Sequence, residues 1–361
     1  MRRRPFARLA FAAILLAGCN AQPAAGPEWT LSPTLEPQTS GTESLLIAVS
    51  AVDDSTVWVS GARGAWARTS DGGATWIAGV VPGADSVQFR DVHAFDHRTA
   101  YLLSIGSGPA SRIYRTDDGG ASWTLQFTNA DSTAFFDCFD FWDASHGMAF
   151  SDSHDGRFTI VATEDGRTWA PIDAAVLPPA NEGEGGFASS GTCLVARGDS
   201  SAWIGTGASP AGPRVLRTAD RGRSWTAVPA PLPAGSGAGI TTVAFRDALN
   251  GAVLGGDIGR PDSVTDNVAF TRDGGATWTL AARPPFTGAV YGSSFVPGAP
   301  VAALVAVGPK GLAFTLDGAL TWTPLDTLNH WGVGFAAPGA GWAVGPQGRI
   351  TRIRLYRPAE R

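Results

Sequence analysis

The sequence predicts an all-β protein: a seven-bladed β-propeller of four-stranded antiparallel blades, closed by pairing of its N- and C-terminal strands. Three observations support this prediction. An Asp-containing motif recurs six times, a tryptophan ends each copy at intervals of 44 to 56 residues, and glycine (46) and proline (25) are abundant. A repeat of this period is typical of propeller blades, whose short strands need many tight turns.

The first 19 residues are predicted to be an export signal rather than part of the fold. Arginines at positions 2, 3, 4 and 8 precede the apolar run Leu9–Ala17, and the segment Leu16-Ala17-Gly18-Cys19 resembles a bacterial lipobox. We therefore expect Cys19 to be lipidated, because two or three acyl chains give stable membrane anchoring. The alternatives are an ordinary signal peptide and a twin-arginine signal. Residues 20–27 are predicted to be a tether.

The charge of the mature chain limits its partners. Without the four arginines of the signal, 23 basic residues stand against 32 acidic ones, a net charge of −9. This composition argues against a nucleic-acid partner, because phosphate binding needs a basic surface. No later stretch has the length and apolarity of a membrane helix, and Asn20 in place of Asp favours the outer membrane by the sorting rule of enteric-type bacteria. We expect an exported protein on the periplasmic side of the outer membrane, held there by its lipid alone.

The repeated motif has the pattern T-x-D-x-G-x-[ST]-W. Its copies run over Thr69–Trp76, Thr116–Trp123, Thr163–Trp169, Thr218–Trp225, Thr271–Trp278 and Thr315–Trp322. We place each copy, called the Asp motif below, in the turn between the third and fourth strands of a blade. There the Asp accepts backbone N–H bonds, the Gly permits the turn and the Trp packs between blades. Six aspartates are thus predicted to have a structural role and not a catalytic or metal-binding one. They are Asp71, Asp118, Asp165, Asp220, Asp273 and Asp317.

The two ends of the chain complement each other. Trp29 lies 47 residues before Trp76 without a motif of its own, and Gly341–Arg352 begins a repeat that never reaches its tryptophan. We infer that the strand at Trp29 pairs with the strand near Ile350 and becomes the outer strand of the last blade, which removes a free sheet edge. This gives seven blades over residues 28–356, with six and eight as alternatives.

The four strands of a blade are clearest in the fifth repeat. Alternating apolar residues predict an inner strand over Ile240–Phe245 and a second strand over Ala252–Leu254. The third strand is predicted over Asn267–Thr271 and the fourth over Trp278–Leu280. In this topology, the loops between strands two and three share one face of the ring with the connections between blades.

The repeats resemble a known family. Segments of the type G-W-A-V-G-x-x-G-x-I-x-R, followed by T-x-D-G-G-x-T-W, are similar to the photosystem II assembly/stability factor family and its non-photosynthetic bacterial relatives, over residues 28–355. Phe141-Trp142-Asp143 and Gly191-Thr192-Cys193 are similar to stretches of a lipid-anchored subgroup. Photosynthetic members hold a membrane-protein subunit during assembly. The resemblance therefore implies a binding scaffold with an envelope protein as its client.

Enzymatic interpretations find little support in the residues. The Asp motifs resemble those of sialidases, whose chemistry needs an arginine triad, a Tyr nucleophile with a Glu partner and an F/Y-R-I-P segment. That segment is missing, and Tyr101 and Tyr291 have no evident Glu partner. The sequence also lacks C-x-x-C and H-E-x-x-H motifs, and no G-x-G-x-x-G opens a helix after a strand. We expect a binding protein more than an enzyme.

The candidate binding site lies in the acidic loops of blades three to five. The later repeats span 56 and 53 residues against 47 and 46 for the earlier ones, and long loops on a rigid scaffold commonly carry function. The candidates are Asp152, His154, Asp155, Glu182, Glu184, Asp257, Asp262 and Asp266. The simplest interpretation is a set of solvated loops. The others are binding of a protein or glycan, a glycan-active hydrolase and a Ca²⁺-dependent module; no other cofactor or metal is predicted.

The inner strands present further polar residues to the central channel or its mouth. They are Arg90, Asp91 and His93 in blade two, Asp137 and Asp140 in blade three, Ser190 and Thr192 in blade four and Thr241 in blade five. Arg90 and His93 join the candidate binding residues. The alternative is a water-filled channel with satisfied polar walls.

Two cysteines, Cys138 and Cys193, occupy equivalent positions on the predicted inner strands of neighbouring blades. Such strands converge near the axis, so a disulfide is geometrically conceivable. We nevertheless expect two buried thiols that pack as small apolar groups.

Overall fold

The ring predicted from the repeats is present in the structure. The computed structural model describes residues 29–359, so the predicted signal, Cys19 and the tether lie outside the described residues. Seven four-stranded antiparallel sheets surround a central axis, which confirms the seven-bladed propeller. Within the described part of the chain, no helix is long and apolar enough to cross a membrane.

The strands of each blade follow one another outward from the axis. The described part of the chain begins with β1 (Trp29–Thr39), which belongs to blade seven. Blade one contains β2 (Leu46–Ala51), β3 (Val57–Gly61), β4 (Ala65–Thr69) and β5 (Ile77–Val80). Blade two contains β6 (Gln88–Ala94), β7 (Ala100–Ile105), β8 (Arg112–Thr116) and β9 (Thr124–Thr128). Blade three contains β10 (Phe136–Phe141), β11 (Gly147–His154), β12 (Arg157–Thr163) and β13 (Ala170–Pro171).

The second half of the ring repeats this order. Blade four contains β14 (Leu194–Arg197), β15 (Ser201–Gly205), β16 (Arg214–Thr218) and β17 (Thr226–Pro229). Blade five contains β18 (Ala238–Phe245), β19 (Gly251–Asp257), β20 (Val268–Thr271) and β21 (Thr279–Leu280), close to the predicted bounds. Blade six contains β22 (Gly292–Phe295), β23 (Leu304–Gly308), β24 (Gly311–Thr315) and β25 (Thr323–Asp326). Blade seven contains β26 (Gly332–Ala337), β27 (Ala340–Val344) and β28 (Arg349–Pro358), with β1 outside them.

Closure of the ring joins the two ends of the described chain. β1 pairs antiparallel with β28, with Trp29 opposite Pro358 and Gln38 opposite Ile350. The predicted closure is therefore confirmed. β1 is the edge of its sheet and contains prolines at positions 33 and 37, which edge strands tolerate because an edge needs fewer ladder hydrogen bonds.

Aromatic clusters fill the space between blades. Trp58 and Trp66 of blade one meet Trp123, the last residue of the Asp motif of blade two, with ring centroids 5.6–6.1 Å apart. Between blades four and five, Trp203 stacks on Phe245 at 3.6 Å. Such aromatic pairs contribute about 0.5–1.5 kcal/mol each beyond the area that they bury, so the blades are joined by packing as well as by the chain.

Each Asp motif forms a closed set of hydrogen bonds on its turn. In the first copy, Asp71 accepts from the backbone N–H of Thr75 (2.9 Å), from the Thr75 hydroxyl (2.6 Å) and from the Thr69 hydroxyl (2.7 Å). The Thr69 oxygen in turn accepts from the backbone N–H of Gly73 at 2.9 Å. The same contacts recur around Asp118, Asp220 and Asp273.

The hydrogen bonds that these turns donate to their carboxylates predict that the protein loses stability in acid. Hydrogen bonds from Thr75 lower the pKa of Asp71 to about 2, and those from Thr277 do the same for Asp273. A carboxyl whose pKa is lower in the folded than in the unfolded state stabilises above roughly pH 4, and this stability is lost as the pH falls toward 2. We expect the melting temperature, measured by circular dichroism, to drop steeply over that range. Asp273→Asn should flatten the drop, and an unchanged slope would contradict the assignment.

The extra length of repeats four and five lies in loops that carry predicted acidic residues, but blade three has no such loop. In blade three, Asp155 and Gly156 form a two-residue turn with φ values of 48° and 74°, and His154 lies opposite Arg157. The predicted long loop between the second and third strands of this blade is wrong, because Asp-Gly closes a type I′ hairpin. The added residues are 172–193, which connect β13 to β14, and in blade five 258–267, which connect β19 to β20.

The two cysteines form a disulfide. Cys138 and Cys193 are bonded to each other with their Cα atoms 5.9 Å apart, within the usual range for disulfides. The expectation of two free buried thiols is therefore wrong. Cys138 lies in β10, whereas Cys193 immediately precedes β14. The bridge ties the end of the long connection to the inner strand of blade three.

Candidate binding site

The two faces of the ring carry different parts of each blade. The upper face contains the loops between second and third strands and the connections between blades. The lower face contains the Asp motifs and, because β1 starts there and β28 ends there, both Trp29 and Pro358. The predicted acidic loop residues lie toward the upper face.

Glu184 is buried, and both oxygens of its carboxylate accept hydrogen bonds from other residues of the chain. Its carboxylate accepts hydrogen bonds from Arg214 through Nε (2.9 Å) and Nη2 (2.5 Å). It also accepts from the Thr206 hydroxyl (2.6 Å) and from the backbone N–H of Asn181 (2.8 Å). Glu184 therefore fastens the long connection to blade four, and its oxygens do not face an open site.

The other acidic loop candidates are spread over the face. Ion pairs at 3.2–3.4 Å join Asp257 to Arg260 and Asp262 to Lys310, and His154 Nε2 lies 3.4 Å from Asp155 Oδ2. Glu182 and Asp266 are exposed. Within residues 29–359, no three His, Cys, Asp or Glu side chains form a group that could hold a metal ion. The acidic loops are thus not gathered at one metal centre.

Residues 185–193, the end of the long connection, cross the upper mouth of the channel, and we call them the channel plug. The carbonyl of Ala188 accepts a hydrogen bond from Arg90 Nη1 of blade two at 2.8 Å. The hydroxyl of Ser190 donates to the carbonyl of Tyr291, beside blade six, at 2.8 Å. Blades two and six stand nearly opposite each other in a ring of seven, so a segment bonded to both spans the axis.

This segment corrects two placements made from the sequence. Ser190 and Thr192 precede β14 and belong to the channel plug, not to the inner strand. The plug also approaches the inner strands closely. A Cβ at Gly191, whose φ is +80°, would lie 2.1 Å from an Asp91 carboxylate oxygen. Only glycine fits at this position.

The channel plug separates two cavities. The lower cavity, of about 240 Å³, is lined by the inner strands of all seven blades and by residues 190–192. The upper cavity has about 370 Å³ and contains residues 186–189 as part of its wall. Its other lining side chains include Arg90, Asp137, Asp152, Ile258, Tyr291 and Trp331. A molecule that enters from the upper face meets the plug.

The polar residues of the lower cavity join neighbouring blades. His93 Nδ1 lies 2.7 Å from Asp140 Oδ1, and Asp140 Oδ2 accepts the backbone N–H of Ala196 in blade four at 2.8 Å. Asp91 likewise accepts the backbone N–H of Phe139 in blade three at 2.8 Å, and burial raises its pKa well above the usual range. His93 therefore lies apart from the upper cavity that Arg90 lines.

Arg90 is the cationic group of the upper cavity. Its Nε and Nη2 both donate to the amide oxygen of Gln88, at 3.1 and 3.0 Å, and its guanidinium lies 4.9 Å from the ring centroid of Trp331. The Trp331 ring contacts that of Tyr291 at 5.1 Å. Among residues 29–359, no carboxylate forms an ion pair with this guanidinium, and burial lowers its pKa.

The chemistry of this arrangement suits an anionic group. The Nε–Nη2 edge of an arginine is a planar fork that matches a carboxylate. Here a neutral, exposed side chain, Gln88, occupies that fork. An incoming carboxylate displaces only this amide oxygen, while the aromatic rings beside Arg90 accept the apolar part of the same ligand.

Two carboxyl groups meet in the wall of the same cavity. Asp152 Oδ1 accepts the backbone N–H of Gly186 at 2.8 Å. Asp137 is buried beside it, and its Oδ2 has no hydrogen-bond donor among the described residues. Burial and the neighbouring carboxyl of Asp152 raise the pKa of Asp137 well above its usual range, and burial also raises that of Asp152.

Part of this site is predictable from the sequence. Arg90 and Asp152 are predicted binding residues and Asp137 is a predicted channel residue. Tyr291 was not among the predicted site residues, and nor were Trp331, Gln88 and the channel plug. The available signals were the length of repeat four and the glycines at 183, 185, 186 and 191, which permit close backbone approach.

The fold and the site define a seven-bladed β-propeller with a plugged channel and a cationic, aromatic cavity on its upper face. Two solved structures have the same fold. YCF48 bound to D1 peptide superposes with a TM-score of 0.63 at 16% identity, covering 89% of this chain and 96% of that one. YCF48 from Cyanidioschyzon merolae gives a TM-score of 0.62 at 16% identity, covering 89% and 98%. No family profile and no curated protein matches the chain.

The fold that the resemblance implied, a seven-bladed β-propeller, is thus confirmed.

Proposed function

We propose that the chain is a lipid-anchored, protein-binding scaffold of the cell envelope that takes a segment of a client protein at its upper cavity. The observation that carries this proposal is Arg90. It is a partly buried guanidinium without a carboxylate partner among the described residues, stacked on Trp331 and held by the neutral Gln88. An acidic residue of a client, flanked by apolar ones, supplies the missing charge and covers the aromatic rings.

The likeness to YCF48 supports a protein as the ligand. One of the similar structures is a propeller bound to a peptide of another protein, D1. At 16% identity this likeness concerns the fold, and neither the client nor the binding surface is carried over from it. The apolar rim of the upper cavity supports the same class of ligand, since Ile258 is 43% exposed beside it.

Lipidation of Cys19 would give the propeller a defined orientation. The tether of residues 20–27 enters the fold at Trp29, on the lower face and at the outer edge of blade seven. An anchor on this side turns the lower face toward the membrane and leaves the upper cavity open to the periplasm. This is the orientation in which a client in the envelope can reach Arg90.

Photo-cross-linking in native envelopes tests this proposal. A photoreactive amino acid replaces Ile258 at the rim of the upper cavity or, as the matched control, Leu320 on the lower face, which is 76% exposed. We expect a discrete cross-linked protein from position 258 only, and its loss when Arg90→Gln is added. The same protein from both positions, or a product that Arg90→Gln leaves unchanged, would contradict binding at this cavity.

A second arm of the same experiment addresses the anchor. With Cys19→Ala we expect the protein to leave the membrane fraction, while purified protein still captures the client identified from position 258. Retention in the membrane fraction would contradict lipidation at Cys19.

A further inference from the structure

We propose that Asp137 and Asp152 share one proton and act as an acid latch that holds the channel plug in the mouth of the channel. Loss of this proton releases the plug and reshapes the upper cavity. The inference goes beyond the proposed function and does not depend on the existence of a client.

The two carboxyls are brought together by neighbouring strands. Asp137 lies in β10 and Asp152 in β11, and both line the upper cavity. The backbone of the plug fits tightly over them. A Cβ at Gly185 would lie 2.0 Å from Asp152 Oδ1, and one at Gly186 would lie 2.9 Å from Asp137 Oδ2. The glycines therefore place the plug in direct contact with the pair.

Hydrogen-bond satisfaction requires a proton within this pair. Asp152 Oδ1 accepts from Gly186 N–H at 2.8 Å, whereas Asp137 Oδ2 is buried and receives no N–H or O–H among residues 29–359. Two adjacent buried carboxylates repel each other, and an unpaired buried charge is costly. A single proton shared between Asp137 and Asp152 satisfies the orphaned oxygen and leaves one negative charge for Gly186.

None of the other described ionisable groups around the plug donates a hydrogen bond to Asp137 Oδ2 in place of this proton. Arg90 of β6 donates to the plug at Ala188 and to Gln88, and Glu184 at the base of the plug is paired with Arg214. Asp91 of β6 faces the plug at Gly191. The hydroxyl-bearing Tyr291 contacts Trp331, and Asp140 is paired with His93 in the lower cavity.

The plug is fastened at both ends independently of pH. At its start, the Ser153 hydroxyl and backbone N–H both donate to the carbonyl of Glu184. At its end, Cys193 is bonded to Cys138. Between these ends, the carboxyls of Asp137 and Asp152 contact the plug at Gly185 and Gly186, so residues 186–192 are the part that their ionisation can move. Asp91, which contacts Gly191, differs from this pair because both of its oxygens accept a backbone N–H bond, from Val92 and Phe139, without a shared proton.

Ionisation of the pair has a direct consequence for the upper cavity. When both carboxyls are charged, they repel each other beneath the plug, and because Gly185 and Gly186 pack directly on them, the two charges separate and reach water only if the plug moves aside. The carbonyl of Ala188 then moves away from Arg90 Nη1, because Ala188 lies only two residues after Gly186 in the plug. Arg90 then loses the bond between its Nη1 and the plug, and residues 186–189 no longer form the same wall of the upper cavity, so alkaline conditions reshape this cavity and acidic conditions preserve it.

Hydrogen exchange of the full folded domain measures the latch. Exchange of peptides covering residues 183–193 is recorded by mass spectrometry from pH 5 to pH 9 and corrected for the intrinsic rate at each pH. Opening that releases one proton raises the open fraction tenfold per pH unit between the ordinary carboxyl pKa and the raised pKa of the latched pair, and the open fraction levels off above the latter. We expect protection of this segment to fall by that factor, while the hairpin of β26 and β27 stays unchanged. Constant protection across the range would overturn the proposal.

Two substitutions distinguish opening of the latch from a general loss of stability at high pH. Asp137→Asn places an N–H donor where the shared proton lies, so the plug should stay protected at pH 9. The matched control is Asp155→Asn, at the exposed tip of the β11–β12 hairpin, which should behave like the unmodified protein. A pH-dependent loss of protection in Asp137→Asn equal to that of the unmodified protein would overturn the proposal. If Asp137→Asn does not fold, the pH series of the unmodified protein decides alone.

Discussion

Arg214→Met is expected to lower the free energy of unfolding by about 3–5 kcal/mol. The substitution keeps most of the side-chain volume but leaves the carboxylate of Glu184 buried without its cation. Glu184 has 0% of its side chain exposed, and both nitrogens on one edge of Arg214 donate to it. Breaking such a pair by removing one partner is costly because the remaining charge stays in a poorly solvated place.

Urea denaturation followed by tryptophan fluorescence measures this difference. The matched control is Arg260→Met, which removes the partner of Asp257 from a pair whose arginine is 79% exposed. Exposed pairs contribute about 0–1 kcal/mol, so the control should remain near the unmodified protein. Equal effects of the two substitutions would mean that Glu184 is not anchored by Arg214 in solution.

Removal of the disulfide by Cys138→Ala with Cys193→Ala is expected to cost about 4 kcal/mol. The bond closes a segment with a sequence separation of 55 residues, and the cost follows from the chain entropy that such a cross-link removes from the unfolded state. The same change frees the end of the channel plug, so the loss should be accompanied by faster hydrogen exchange over residues 186–192.

The control for this prediction is the unmodified protein with reductant present throughout unfolding and refolding. Reduction should bring its free energy of unfolding close to that of the double variant. If the double variant matches the oxidised protein instead, the two cysteines are not bonded to each other in the folded chain.

The architecture was largely predictable because it depends on local sequence patterns that repeat along the chain. The Asp motif fixes one turn per blade, the closing tryptophan fixes the interval between blades, and alternating apolar residues fix strands such as β18 and β19. The pairing of β1 with β28 was also predictable, because the last repeat lacks an outer strand and the segment at Trp29 is an outer strand without a repeat of its own.

The candidate site was less predictable because its parts come from distant segments. Arg90 and Ala188 are 98 positions apart, and Ser190 and Tyr291 are 101 apart. The length of repeat four signalled the long connection that carries Glu182 and Glu184, but we also expected a long loop at Asp155 in blade three, where the chain makes a tight turn. No periodic pattern in residues 172–193 indicates that the segment enters the channel.

The sequence by itself thus determined the ring of seven blades, its closure and its turns, because each depends on contacts within one repeat or between successive repeats. Only the tertiary structure decided that residues 185–193 plug the channel, that Cys138 bonds to Cys193, and that Asp137 lies against Asp152. These features depend on the path of one irregular segment across the axis. That path is set by burial and hydrogen-bond satisfaction in three dimensions, which spacing along a chain does not encode.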